Sequence, residues 1–183
     1  ESIKNGRWNA NKVIDEYVLF YLTWINPIKE DMAHRVQASG YWESLQNTPT
    51  WYNWAGMAFE SICHKHIDQI RHALHLDVVA MPSTWRFDSR KTDQSGAQID
   101  LLFDRKDDSI TLCEIKFTNK PFNIDKTYAQ NLENKILVFK NVTRTKKQIF
   151  FAMISASGLQ KSKYSDEMIS QVVVLEDLFK DSK

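Results

Sequence analysis

Cysteine, glycine and proline are all scarce in this chain. Two cysteines, Cys63 and Cys113, in 183 residues are too few for a disulfide framework. One falls in a helical pattern and the other in a strand pattern, so both read as buried apolar groups in a reducing, cytoplasmic compartment. Five glycines and four prolines argue against a disordered or loop-dominated chain. Long apolar runs are absent as well. The longest, Tyr17 to Ile25 with Thr23 inside it, is shorter than the roughly 17 to 25 residues that cross a bilayer, so no membrane segment is expected. No Gly-x-x-x-x-Gly-Lys-Ser/Thr segment occurs, which excludes a P-loop within these residues. No internal repeat or low-complexity tract is evident.

What is present suits a chain with a substantial core: 43% of residues are apolar, 12% are aromatic, and six are tryptophan. The net charge of +1 hides an uneven distribution. Residues 1 to 60 hold five Lys/Arg against seven Asp/Glu, whereas 116 to 147 hold eight against two. A solvated helix face and a phosphate-binding surface both account for that basic segment. The chain begins with Glu1 rather than methionine, so it reads as part of a longer protein.

The most informative stretch is Gly96 to Phe117, which reads as a β-hairpin with charges inside apolar strands. On the first strand Ile99, Leu101 and Phe103 mark one face and Asp100, Leu102 and Asp104 the other. On the second strand Ile110, Leu112, Glu114 and Lys116 share a face opposite to Thr111, Cys113, Ile115 and Phe117. Bringing Asp100, Glu114 and Lys116 together would desolvate two carboxylates, a cost that a divalent metal would offset. An ordinary salt bridge to Lys116 is the plainer alternative. The shared site makes a demand on register. Asp100 lies across from Glu114 when paired residue numbers sum to 214, which requires an odd-numbered connection such as Lys106 to Asp108 or Arg105 to Ser109.

The remaining elements follow from periodicity. Residues 11 to 25 are apolar on nearly all sides, which predicts a helix packed on several faces and stopped by Pro27, with a second, more polar helix from Ile28 to about Ala38. Thr48-Pro49 is a helix start, with threonine as N-cap and proline at the first position. From there Trp51, Ala55, Phe59, Ile62, Cys63, His66, Ile70 and Leu74 predict one long helix to about His75, with Glu60 at the border of its stripe. Val78 to Met81, extending toward Phe87, is a strand. Ile124, Tyr128, Leu132, Ile136 and Phe139 predict a helix, on which Lys126, Gln130 and Asn134 form a separate polar line. Gln148 to Ile154 suits a central strand buried on both faces, Ser155 to Lys163 a loop, Val172 to Leu175 a last strand, and Glu176 to Lys180 a turn of helix. Of the histidines, His64 and His66 would point about 200° apart on a helix and cannot share one zinc. His72 and His75 lack evident partners. Trp51 and Trp54 read as core, with base stacking as the alternative.

These phrases in order resemble the PD-(D/E)xK restriction-endonuclease-like superfamily. The resemblance is closest to the nuclease-like domain at the C-terminus of bacterial and archaeal AAA-type ATPases. It is carried by Trp54-Ala-Gly-Met-Ala-Phe-Glu60-Ser-Ile-Cys63, Gly96-Ala-Gln-Ile-Asp-Leu-Leu and Cys113-Glu-Ile-Lys-Phe117, with Asp15 to Ile25 similar to the piece that follows a winged-helix part. It implies an α/β fold with an αβββαβ core and a mixed sheet over residues 48 to 183, preceded by a helical segment over 1 to 47. It further implies Asp100, Glu114 and the Ile115 carbonyl as ligands of Mg²⁺ or Mn²⁺, Lys116 as the residue that orients or deprotonates water, and Glu60 as a further acidic member. Lys126, Gln130 and Lys135 would contact nucleic acid, expected to be DNA; an N-terminal ATPase domain of the same chain would be a partner, and a homo-oligomer could form. The residue directly before Asp100 is Ile99 and not the motif's proline, and Gln98 stands where many relatives carry a glutamate, leaving fewer acidic ligands for a second metal. A Mg²⁺-dependent endo- or exonuclease is the first functional expectation. The alternative is a nuclease-fold domain of little or no activity that binds nucleic acid or regulates the ATPase.

Overall fold

The structure, a computed structural model, describes residues 15–29, 40–88 and 96–180. These fall into two compact units, one ending at Lys65 and the other beginning at His66. The second helix expected after Ile28 lies outside the described residues beyond Lys29, as do residues 11–14 of the first.

In the first unit Asp15 caps α1 (Glu16–Phe20), its carboxylate accepting from the Val18 N–H at 2.9 Å. The helix then widens into a π-turn over Tyr21–Ile25 and tightens into a 3-10 turn over Asn26–Ile28, which contains Pro27. Burial on several faces does not hold: Trp24 and Ile28 are buried, whereas Tyr17, Val18, Tyr21 and Leu22 are exposed. After α2 (Tyr41–Leu45) comes α3 (Pro49–Lys65), whose Thr48 Oγ1 accepts from the Trp51 N–H at 3.2 Å as the sequence leads one to expect. Trp51 and Trp54 pack with Trp24, at ring separations of 5.5 and 6.2 Å, and Phe20 stacks on Trp42. This aromatic cluster explains why α3 joins the first unit and why compactness divides the chain at 65/66.

The long helix to His75 is two helices. His66 leaves helical geometry (φ −110°, ψ 34°), and α4 (Ile67–Ala73) follows in the second unit. No proline or glycine marks the break, so periodicity runs straight through it. A Schellman motif ends α4: His75 takes φ 51°, its N–H bonds to the His72 carbonyl at 2.9 Å, and the Leu76 N–H bonds to that of Arg71 at 3.0 Å.

The second unit is an α/β arrangement around an open, mixed five-stranded sheet in the order β1-β2-β3-β4-β5. Strands β1 (Met81–Phe87), β2 (Ala97–Asp104) and β3 (Ser109–Lys116) pair antiparallel. Then β4 (Gln148–Ser155) and β5 (Gln171–Val174) add in parallel, connected through α5 (Lys126–Thr143) and α6 (Lys163–Met168). The element sequence from α4 is therefore α, three strands, α, strand, α, strand. Val78 lies before β1 in a turn and is exposed.

One expectation about the sheet needs revision. The central strand is β3, with its first seven residues buried, while β4 stands fourth and is buried only from Phe151 onward. The predicted loop from Ser155 to Lys163 holds over residues 156–162, and the unpredicted α6 follows it, started by a Ser162–Ser165 capping box in which each hydroxyl satisfies the other residue's N–H. Helix α5 covers one face of the sheet. Its Ala129, Leu132, Val138 and Phe139 pack with Leu102, Ile110, Leu112, Phe151 and Met153. On the opposite face Arg71 of α4 lies over the Phe103 ring, 5.9 Å from its centroid. No described helix is long and apolar enough to cross a membrane.

Candidate functional site

The hairpin register sums to 214 at every registered pair, from Asp104–Ile110 to Leu101–Cys113. The Arg105 N–H also bonds to the Ser109 carbonyl at 3.0 Å, so the connection proper is Lys106 to Asp108. Asp108 at φ 57° supplies the left-handed residue that closes a three-residue loop of this kind. Continued one step, this register sets Asp100 across from Glu114 on the face covered by α5.

The ladder's registered pairs stop before that step because a side chain intervenes. The Ile115 N–H donates to Asp100 Oδ2 at 3.0 Å. On the other side of β3 the Lys116 carbonyl accepts from the Ala156 N–H at 3.2 Å. Successive peptide groups of a strand alternate sides, so the Ile115 N–H and carbonyl both turn toward β2. Asp100 also accepts from Gln98 Nε2 at 3.4 Å, an amide donor at the position where the resemblance leads one to look for a carboxylate.

Glu114 is buried, and a buried carboxylate is costly unless its oxygens are paired. Here Oε1 accepts from the Tyr128 hydroxyl at 2.9 Å and lies 3.3 Å from Lys116 Nζ, while Oε2 accepts from Lys135 Nζ at 2.5 Å. Lys116 also sits over the Tyr128 ring, 5.6 Å from its centroid. Burial pushes the Tyr128 phenol far above its ordinary range, and the charges of Glu114 and then Asp100 add to the effect. Both carboxylates are thus felt by one hydroxyl. The plain salt-bridge reading holds as far as Glu114 and Lys116 are an ion pair, although Lys135 makes the shorter contact.

The second unit therefore gathers Asp100, Glu114, Ile115 and Lys116 with Lys135. Lys126 and Gln130 stand exposed on α5, away from the packed stripe. Glu60 stands on α3 in the first unit, where its Oε1 lies 3.9 Å from His64 Nε2. Sequence reasoning groups Lys135 with the nucleic-acid contacts and Tyr128 with packing. One signal could have found them: they are seven residues apart, two turns on one line of the helix, which puts a lysine into an otherwise packed row.

As a cation site the donor set is of the right kind, since two carboxylates and a backbone carbonyl are hard oxygen ligands suited to Mg²⁺ or Mn²⁺. Among the described residues, no group of three or more His, Cys, Asp and Glu side chains is arranged to hold a metal ion. Two carboxylates with a carbonyl fall outside that count. By kind of donor they suit a hard cation, and Lys135 holds Glu114 Oε2 in this structure. Comparison with family models, curated proteins and solved structures finds no match to this chain.

Proposed function

We propose that the second unit is a metal-dependent nuclease-like domain acting on DNA phosphodiesters, the C-terminal part of an AAA-type ATP-binding protein with a restriction-endonuclease-like core. One observation carries the reading: two carboxylates from adjacent strands and the Lys116 ammonium converge at one end of a hairpin whose register the shared site required. The order of elements from α4 onward is compatible with the αβββαβ core that the resemblance implies.

In this reading Asp100, Glu114 and the Ile115 carbonyl would hold Mg²⁺ or Mn²⁺. Such an ion, when bound, supplies charge neutralisation for the ester and a water of lowered pKa. The chain does the rest. Lys116 would orient or deprotonate the attacking water and balance phosphate charge. Tyr128, donating to Glu114 Oε1, fixes the carboxylate rotamer, and Asp100 is aimed by the Ile115 N–H.

A second reading has specific support in the occupied Glu114 oxygens and the Gln98 amide. A nuclease-fold domain of little activity would keep this network for stability while binding nucleic acid or regulating an ATPase. Nuclease assays on supercoiled and linear DNA in Mg²⁺ and Mn²⁺ separate the two. Under the first reading Asp100→Ala and Lys116→Ala each lower the rate by about 100-fold or more, the scale of a general-base contribution. Absence of cleavage in the parent, or cleavage indifferent to both substitutions, favours the second.

A further inference from the structure

Lys135 reaches Glu114 from a different element, 21 residues away in sequence, and takes Oε2 at 2.5 Å while Tyr128 and Lys116 share Oε1. From this geometry we infer that Lys135 is the resident counter-ion of the site, and that a divalent cation enters by displacing its ammonium from Glu114. The inference rests on the proposed reading of Asp100 and Glu114 as a cation site, and adds a residue that opposes occupancy.

Charge, division of labour and access support it. Glu114 already faces two ammoniums, so a divalent ion added to its intact network would set a third cation against one buried carboxylate. Removal of one ammonium relieves this. Among the described residues Lys135 alone holds Oε2, so its departure frees that ligand oxygen while Tyr128 and Lys116 keep the carboxylate oriented through Oε1. The Lys135 side chain is 25% exposed, and an ammonium on a flexible stem can swing to water without moving the helix. Tyr128 has no comparable freedom, since its ring packs against Phe122 at 4.9 Å between centroids.

The test is calorimetric titration of the whole chain with Mn²⁺ alone, comparing the parent with Lys135→Gln, Lys135→Met and Lys135→Arg. Glutamine can still donate to Oε2 without carrying charge, which guards against a variant that simply fails to fold, and melting in chelator reports folding directly. The two neutral variants are expected to bind Mn²⁺ about tenfold tighter than the parent or better, and the arginine variant no tighter. Asp100→Asn in the Lys135→Gln background should abolish the binding heat. If the parent binds Mn²⁺ and the neutral variants bind equally or more weakly, the counter-ion role falls while the cation-site reading stands. If the parent and both neutral variants are silent, both fall. Heat that persists with Asp100→Asn locates the ion elsewhere and also overturns the inference.

Discussion

Tyr128 shows how a single side chain can be both core and site. Its ring packs on Phe122 in the unit's core while its hydroxyl donates to Glu114 Oε1 at 2.9 Å. Burial, followed by the charges of Glu114 and Asp100, raises the phenol well above the ordinary value of 10.0, so it stays a donor across the working pH range. A group whose folded pKa is raised adds stability that is present in full below its unfolded value and is lost as pH rises beyond it. Stability of this unit is therefore expected to fall above about pH 10 in the parent, with a smaller fall in Tyr128→Phe. At neutral pH that variant should cost about 1 to 3 kcal/mol, the range for depriving a charged acceptor of its donor. Urea unfolding at pH 7 and in the alkaline range checks both. An unchanged alkaline limb would separate the Tyr128 proton from stability. The tyrosine itself is legible as an amphipathic-stripe residue; the partner of its hydroxyl is not, because periodicity reports which face packs and not what meets the polar tip.

Among the elements, the end of the chain offers a local case with a clear sign. A 3-10 turn over Leu175–Phe179 follows β5, and Asp177 secures it by accepting from the Val174 N–H at 2.9 Å and from Lys180 Nζ at 2.6 Å. Burial pushes the Asp177 carboxyl up, yet the bonds from Lys180 and the Val174 N–H, with the Lys180 charge, outweigh it and the net shift is downward. A lowered carboxylate adds stability above its unfolded value of 3.8 and loses it as pH falls through the folded one. Asp177→Asn should therefore be less stable than the parent at pH 7 by about 1 kcal/mol, with the gap closing in acid below that value. Chemical unfolding at pH 7 and pH 3 measures it; a gap that widens in acid would contradict the sign. Caps are the readable part of the helices. Thr48 before Pro49 is visible in sequence and present in the structure. The Ser162–Ser165 box is equally visible, but six residues of α6 are too short for periodicity to stand out.

For the whole molecule, a net charge of +1 gives no general attraction to DNA, so any affinity must come from local charge. The exposed cations of α5 and its C-terminal end, Lys126, Lys140, Arg144 and Lys146, are the available group. Lys147 is already engaged by Asp104 at 2.6 Å and by the Arg105 carbonyl at 2.9 Å, and Lys135 by Glu114. Fluorescence anisotropy with a labelled duplex across a salt series should give a steep slope in the parent. Lys126→Gln and Lys146→Gln should each flatten it by about 0.9 for every phosphate they no longer neutralise. Neutralising Lys147 should instead cost stability and leave the slope nearly unchanged. Equal slopes in all variants would argue against this surface as the place where DNA binds.

The contrast between the two halves of the site shows what each level decides. The hairpin, its register and the shared face of Asp100 and Glu114 follow from a period of two and a three-residue connection, both local properties of the chain. Buried thiols at Cys63 and Cys113 and aromatic packing at Trp51 and Trp54 follow from composition and spacing in the same way. The break at His66 was decided by tertiary structure, because it falls where two compact units meet along the chain and no local residue encodes it. So was the centrality of β3, since an alternating strand looks half-buried until tertiary packing covers both of its faces. The partners of Glu114 belong to this second group: only the return of α5 across the sheet brings Tyr128 and Lys135 to a carboxylate that the sequence could identify but not complete.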